Sequence, residues 1–515
     1  MTTKGLSLSA GWGLAALVLA AIAGRLAWMG YTRYTAEDAF ITFRYAYQLA
    51  AGNGFVHNTG ERVYGTTTPL YTLLLAGWLR LGVGDVATGA NFIGLMACGG
   101  MLIFTWLTLR RLAFSSVQQA AVLCVLGFSI RLITHDTRGM ETPLVLCGLA
   151  ASWWALACGR TRLAGVLCGL LLWTRPDVFL WPLVLAMVLA LSERRKALEL
   201  AALSGLVYLP WLAFAAWYFG SPIPHTVIAK WTAYLEFNSQ PAVASLPIVW
   251  NALSPFYLPL TVGGVSLTAW LTAGLAGWQA LLLEKAPPAA AVLPIFALLE
   301  IAWLVLSRAT FFSHYLLPPA WAVLILLGLA LGSLWQATAR RKRLRCLCAL
   351  SLGLVLLADV VQVSDAAGEY RLYQQARHEQ SLKAAGLWLN AHTPPDSMVL
   401  LEPLGYVGFY ADRRMRDEVG LVSPEVVAFK RQRITDAFLY AVLLQTDYWL
   451  IHCDDADGYL ERAALGEIDF DARFTRLAVF NPLGFDPATR ELDTDEVSRA
   501  RDACYEIWGK NTAVP

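Results

Sequence analysis

From Lys4 to Arg345, cationic clusters recur along the chain at intervals that two membrane crossings would fill. They are Lys4, Arg110 with Arg111, Arg160 with Arg162, Arg194 to Lys196, Lys285, and the run from Arg340 to Arg345. Each interval is apolar and is broken by a polar or proline-bearing corner, at 31–68, 134–142, 174–177, 220–255 and 308–314. Short loops rich in Lys and Arg stay cytoplasmic, so every corner faces outward. A composition of 57% hydrophobic and 15% charged residues excludes a soluble chain of 515 residues. The pattern predicts spans near 9–30, 86–109, 112–133, 141–158, 163–174, 178–191, 198–219, 257–283, 289–306, 315–335 and 346–363. That makes about eleven transmembrane helices, with the amino terminus inside and the tail outside. The spans at 163–174 and 178–191 fall short of the roughly 20 residues of a full crossing and predict a bent hairpin with Arg175 and Asp177 at its tip. "PLYTLLLAGWLRLG" is short as well and predicts an interfacial helix anchored by Trp78 and Arg80.

Charge divides the chain in two. Residues 1–363 hold 24 Lys and Arg against 13 Asp and Glu, whereas 364–515 hold 16 against 25. The expected organisation is a membrane domain over 1–363, with an outward loop at 31–68, and an extracytoplasmic α/β domain over 364–515. Within the tail, a helix over 369–391 should stop before Pro394-Pro395, "SMVLLE" reads as a strand, and "YAVLLQTDYWLIHCD" reads as helix, turn and strand. Seven of the nine cysteines sit in or beside apolar segments without metal-ligand spacing. Cys453 and Cys504 lie in the polar tail and can pair there if it lies outside the cytoplasm.

The stretch "YTAEDAFITFRYAYQLAAGNGF" places Glu37 and Asp38 side by side immediately after the first span. One reading is a helix start, with Thr35 as N-cap, the acids in the first turn and Gly52 at the end. The other is chemical, because the pair stands at a membrane surface before a polar, aromatic loop holding His57, Asn58, Glu61, Arg62 and Tyr64. Seven-residue spacing adds Arg44 to the face of Glu37.

That acidic pair, the following "ITFRYAYQLAAGNGFVHNTGERVYGTTTPLYTLLLA", and "RGMETPL", "TRPDVFL", "GSPIPHTVIAK", "FFSHYLLPP" and "GYVGFYADRRMRDEVGLVSPEV" together resemble the GT-C superfamily of integral-membrane glycosyltransferases. The resemblance covers nearly the whole chain in order. It is nearest to bacterial cell-envelope arabinofuranosyltransferases, with protein O-mannosyltransferases and the lipid A aminoarabinose transferase further off. It implies a polyprenyl-phosphate-linked sugar donor, a glycan, lipid or protein acceptor in the cell envelope, and a multi-pass protein of the bacterial inner membrane whose active site faces the periplasm. The sugar it suggests is arabinofuranose. Relatives often carry Asp-Asp where this chain has Glu37-Asp38, and Asn where it has His225.

The implied chemistry assigns roles. A polyprenyl phosphate is already a leaving group, so Asp38 is expected as general base with Glu37 as its partner. Lys230, His225, Arg308, His314 and Arg44 are the candidate phosphate ligands. His57, Asn58, Tyr64, Arg138 and Glu141 are the candidates for acceptor or sugar. Arg138 with Glu141, and Arg175 with Asp177, read equally well as structural ion pairs, and Lys230 reads also as a snorkelling cation. Glu300 and Asp359 are intramembrane acids without a nameable partner. A single base opposite the leaving group implies inversion. No motif demands a metal, though a divalent cation could assist at the acidic pair, and no nucleic-acid partner is expected. The alternative is a transporter or flippase of a lipid-linked sugar. It lacks support from any inverted repeat or Walker-type loop in the chain.

Overall fold

The computed structural model of the chain describes residues 8–233, 246–253, 261–262, 265–283, 287–307, 312–343, 346, 361, 363–486 and 494–511. Among these, every expected span except the last carries a helix. The last, 346–363, with Asp359, lies almost wholly outside the described residues. Among the described residues five helices are long and apolar enough to cross a membrane: Trp12–Thr32, Val86–Arg111, Arg194–Phe219, Pro288–Leu306 and Ser313–Ala337. Ser116–Phe128 and Ile130–Asp136 together are long and apolar enough for a sixth, but they are bent by 55° at Ser129, the shape of a broken span or a re-entrant loop. The chain is a multi-pass membrane protein. The expected hairpin forms as helices Thr161–Thr174 and Leu180–Ala190 about a short 3-10 turn at Pro176–Val178. The segment expected to complete the span near 257–283 instead begins with a two-strand ribbon, Thr261–Val262 (β1) against Val265–Ser266 (β2), before helix Leu267–Leu282. Ser266 caps that helix by accepting the Ala269 N–H at 3.2 Å, which is why the helix starts there.

The break at Ser129 explains a residue that hydropathy alone passes over. A bent helix frees carbonyls that lipid cannot satisfy. Arg25, fully buried in the first span, donates to Gly127 O at 2.6 Å and Leu126 O at 3.3 Å, the carbonyls just before the break. Its Nε and Nη2 reach Asp136 Oδ2 at 2.9 and 2.8 Å, so one guanidinium holds both sides of the bend.

Outside the membrane, helix Ala39–Ala50 ends at Ala51 with Gly52 at φ 88°, as its glycine predicts. Helix Pro69–Leu81 packs beside it. Arg80, expected as a membrane anchor, instead donates to the Leu49 and Ala50 carbonyls and closes the end of the first helix.

A helical rod over 363–373 continues through a π-helical stretch, Gln374–Lys383, into Ala384–His392 and stops at the proline pair. It leads into a five-stranded sheet of Met398–Leu401 (β3), Arg414–Asp417 (β4), Tyr448–His452 (β5), Phe474–Phe480 (β6) and Tyr505–Lys510 (β7), in the order β4-β3-β5-β7-β6. Strand β3 runs parallel to both neighbours, and β7 antiparallel to both of its own. Helix Leu404–Ala411 makes the crossover from β3 to β4, while Pro424–Arg431 and Ala437–Leu443 lead to β5. Strand order reverses at β3, whose carboxyl end leads through Glu402 and Pro403 into helix Leu404–Ala411. Cys453 and Cys504 are joined by a disulfide between the end of β5 and the start of β7.

The tail and the 31–68 loop bury their apolar residues together. Phe40 meets Tyr406 at 3.9 Å and Phe409 at 5.4 Å between ring centroids. The same core holds Ala36, Tyr45 and Tyr64 from the loop with Leu404, Val407 and Met415 from the tail. Between the two parts there is therefore a packed core.

Candidate active site

The turn Thr35–Asp38 joins the first span to helix Ala39–Ala50, and three of its four residues are tied down. The Thr35 N–H donates to Gln374 Oε1 in the π-helical stretch at 3.1 Å. Ala36 N–H donates to the Arg138 carbonyl at 2.9 Å. The Gly405 N–H, at the start of helix Leu404–Ala411, donates to Glu37 Oε1. Only the fourth side chain is left over. Asp38 stands in the N-cap position of its helix but makes no capping bond, and its carboxylate is exposed. The helix-start reading with Thr35 as N-cap is therefore corrected: the helix begins at Ala39, because the preceding turn is held by tertiary contacts.

The Asp38 carboxylate opens into a small cavity of about 70 Å³. Thr42, Thr66, Thr68, Glu141, Lys230, His314 and Tyr315 line it, and Leu421 of the tail closes one side. The threonine hydroxyls form a buried triad, with Thr66 and Thr68 3.1 Å apart and Thr42 at 3.5 and 3.4 Å from them. Tyr45 fixes the loop behind it, donating to Val63 O at 2.7 Å and accepting from Gly65 N–H at 2.9 Å. Lys230, on helix His225–Ala233, lies over the rings of Phe312 at 4.6 Å and Tyr315 at 5.7 Å, a placement that holds an ammonium in an aromatic wall. His314 is buried between Phe312 and Tyr315.

Behind the cavity the TRPD turn is locked. Arg175 is buried, binds Asp177 in a two-pronged pair, donates to the His314 carbonyl at 3.3 Å and lies 3.7 Å from Glu141. The ion pair read for Arg138 with Glu141 is thus corrected, since Glu141 faces Arg175. Among the described residues the Arg138 guanidinium takes no hydrogen bond or ion pair, and its Nε is shielded from solvent. Gly139 beside it sits at φ 82°, with Thr35, Phe43 and Ala39 crowding the place of a side chain, so this turn requires glycine. Glu300 is buried in its span with one carboxyl oxygen unpartnered.

The other expected residues lie elsewhere. Arg44 is buried and pairs with Asp412 at 2.7 Å, while its Nε donates to His57 O at 3.2 Å. Asn58 exchanges two 2.9 Å hydrogen bonds with the Met415 backbone and so extends the exposed edge of β4. Glu61 receives Arg416 at 2.8 Å and Arg414 at 3.0 Å. Tyr64 stacks on Phe219 and accepts from Trp211 Nε1 at 2.6 Å. His225 donates its backbone N–H to Tyr64 O at 2.9 Å and faces the tail near Gly420. None of these six expected ligands, Arg44, His57, Asn58, Tyr64, His225 or Arg138, lines the cavity, and Arg308 falls outside the described residues.

Electrostatics sharpen the division between the two acids. Burial, followed by the neighbouring charges of Asp38 and Glu402, raises the Glu37 carboxyl above its ordinary range, against the opposing pull of Arg377 and the Gly405 N–H. Burial, with Arg44 next, pushes His57 down to about 3, so its ring is neutral and suited to packing. Burial likewise lowers His225.

The sequence reading missed the threonine triad, Tyr315 and Leu421. All stood in motifs already singled out, among them "VYGTTTPL", "FFSHYLLPP" and, for Leu421, "GYVGFYADRRMRDEVGLVSPEV". No group of three or more His, Cys, Asp or Glu that could hold a metal occurs among the described residues.

Comparison with known proteins bears on this arrangement in three ways. Residues 369–508 match a family described as a domain of unknown function (DUF8728). A terminal beta-(1->2)-arabinofuranosyltransferase of Mycobacterium tuberculosis is 27% identical over 237 residues, which is 42% of this chain and 38% of that protein. The Corynebacterium glutamicum protein of the same name is 26% identical over 239 residues, 39% of this chain and 34% of its own length. The match thus spans little more than a third of these curated relatives. Among solved structures, ArnT from Cupriavidus metallidurans in the apo state superposes over 98% of both chains with a TM-score of 0.57 at 12% identity. The same protein bound to undecaprenyl phosphate gives 0.53 at 13%. The Archaeoglobus fulgidus oligosaccharyltransferase tethered to an acceptor peptide gives 0.55 at 13%, over 86% of this chain and 69% of its own. The chain therefore has the GT-C fold that its motifs resemble.

Proposed function

We propose that this GT-C chain is a membrane glycosyltransferase that moves a sugar from a polyprenyl-phosphate donor to an acceptor of the cell envelope. What carries the reading is the Asp38 carboxylate, left uncapped in a cavity that Lys230 and His314 share. The names of the partial relatives favour arabinofuranose, and the ArnT complex favours an undecaprenyl-type phosphate carrier. In this mechanism Asp38 takes the proton of the acceptor hydroxyl, and the oxygen attacks the anomeric carbon from the face opposite the phosphate. The carbon–oxygen bond to the phosphate breaks, its electron pair leaves with the polyprenyl phosphate, and configuration inverts. Lys230, in the wall of the cavity, holds the growing phosphate charge. The threonine hydroxyls and Glu141 suit the hydroxyls of a furanose. His225 and Arg44 are better read as supports for the loop than as phosphate ligands.

Purified protein given labelled decaprenyl-phospho-arabinofuranose and a short arabinan acceptor should yield lengthened product. Absence of product, with the protein folded, would remove the assignment. Lys230→Ala should weaken use of that donor by about 2–4 kcal/mol in transition-state terms while the protein accumulates normally. Donor kinetics within about twofold of wild type would take Lys230 out of the site.

The same reading places the cavity on the outer side of the inner membrane. Cysteines introduced at the exposed positions Thr59 and Asp471 should react with an impermeant thiol reagent in spheroplasts, and one at exposed Ser192 should not. Reaction at Ser192 alone would reverse the orientation.

A further inference from the structure

The three tied residues of the Thr35–Asp38 turn are held from different parts of the chain: the rod of the tail, the 136–141 turn, and the helix after β3. We propose that Glu37 is a positioning residue, hooked onto the backbone of Gly405, and that through this contact the tail sets the Asp38 carboxylate at its working angle. The inference rests on the glycosyltransferase reading above and adds to it a role for the tail in turnover.

Several independent contacts converge on it. Glu37 accepts the Gly405 N–H in the first turn of helix Leu404–Ala411, the end of a helix where amides lack internal partners and a carboxyl oxygen is favoured. The fit leaves no room for a side chain on the tail. A methyl group on Gly405 would stand 2.6 Å from Glu37 Oε1 and nearer still to the Glu37 backbone oxygen. Two residues before the hook, the Gln374 amide spans the joint, accepting from Thr35 N–H at 3.1 Å and donating to the Tyr406 hydroxyl at 3.0 Å. Gln374 opens the π-helical stretch, an irregularity that turns its side chain toward the joint. Arg377 of the same stretch is pinned by Tyr505 Oη at 3.0 Å and by Asp502 O at 3.1 Å, and its charge acts on Glu37. The crossover helix thus holds the Glu37 carboxylate, the rod holds the Thr35 backbone two residues before it, and the sheet fixes Arg377, whose charge acts on Glu37, while the next residue in sequence faces the cavity.

A positioning role and a direct chemical role separate on substitution. Glu37→Gln keeps an oxygen for the Gly405 N–H, so it should hold turnover within about fivefold of wild type. Glu37→Ala removes the hook and should cost about 10²-fold in kcat. Gly405→Ala should lower kcat to a similar degree. For all three, the KM for decaprenyl-phospho-arabinofuranose and the binding of undecaprenyl phosphate by the purified protein should stay near wild type. Glutamine as inactive as alanine would make the Glu37 charge itself catalytic and overturn the proposal. Wild-type turnover in both Glu37→Ala and Gly405→Ala would overturn it too, leaving the glycosyltransferase reading intact. No turnover in the wild-type protein would defeat both. If Gly405→Ala loses undecaprenyl phosphate binding, the two Glu37 variants decide, since neither adds volume.

Discussion

Asp38→Asn should leave the protein folded and its lipid phosphate bound while reducing turnover by about 10² or more. The substitution keeps size and shape and removes only the capacity to accept a proton. Asp38 makes no capping bond, so nothing in the helix start depends on its charge. Its side chain has no hydrogen bond or ion pair among the described residues, so no neighbour is orphaned by the change. The thermal midpoint of the purified variant should therefore match wild type, and its loss should appear in kcat. Turnover above about a third of wild type would exclude Asp38 as the base. Loss of stability together with turnover would point instead to a structural role for the carboxylate.

The largest effect on stability should come from Arg25→Met. It removes the partner of Asp136 at a buried site and exposes the Leu126 and Gly127 carbonyls to an apolar environment. Breaking one side of a buried ion pair costs about 3–5 kcal/mol, because an uncompensated charge is left inside. Asp136→Leu added to Arg25→Met should recover part of this loss, as it eliminates that charge, yet not all of it, because the carbonyls at the bend still lack a donor. Thermal unfolding in detergent reads both. A midpoint for Arg25→Met unchanged from wild type would mean that the bend does not rely on the guanidinium.

The helices of the membrane bundle were legible because hydropathy is local. It depends on windows of about 20 residues, and among the described residues a helix lies in each expected span but the last, although the one expected from 257 begins only at Leu267. The strands at "SMVLLE" and "DYWLIHCD" were legible for the same reason. Asp38, Lys230, His314 and Glu141 were found through their place at outward corners, and the structure brings them to one cavity. What escaped was decided by partners far along the chain. Arg44 and Asn58 looked like ligands because polar residues beside a membrane suggest chemistry, whereas their partners, Asp412 and Met415, lie more than 350 residues away. Arg25 drew no attention in the sequence because its span is apolar enough to hide one charge, and Asp136 is 111 residues distant. The start of helix Ala39–Ala50 was misplaced because capping rules consider only the four residues involved, and here Gln374, Arg138 and Gly405 overrule them.

The core that Phe40 shares with Tyr406 and Phe409 sets a rule for making chimaeras of this protein. A cut at the end of the last span, the place that charge composition marks as the border, would separate a tail from the loop that fills its inner face. The exchangeable unit is discontinuous instead, the segment 31–81 together with the tail, and the bundle of spans is the other half. A tail transplanted from a relative should therefore assemble only when its own first loop travels with it.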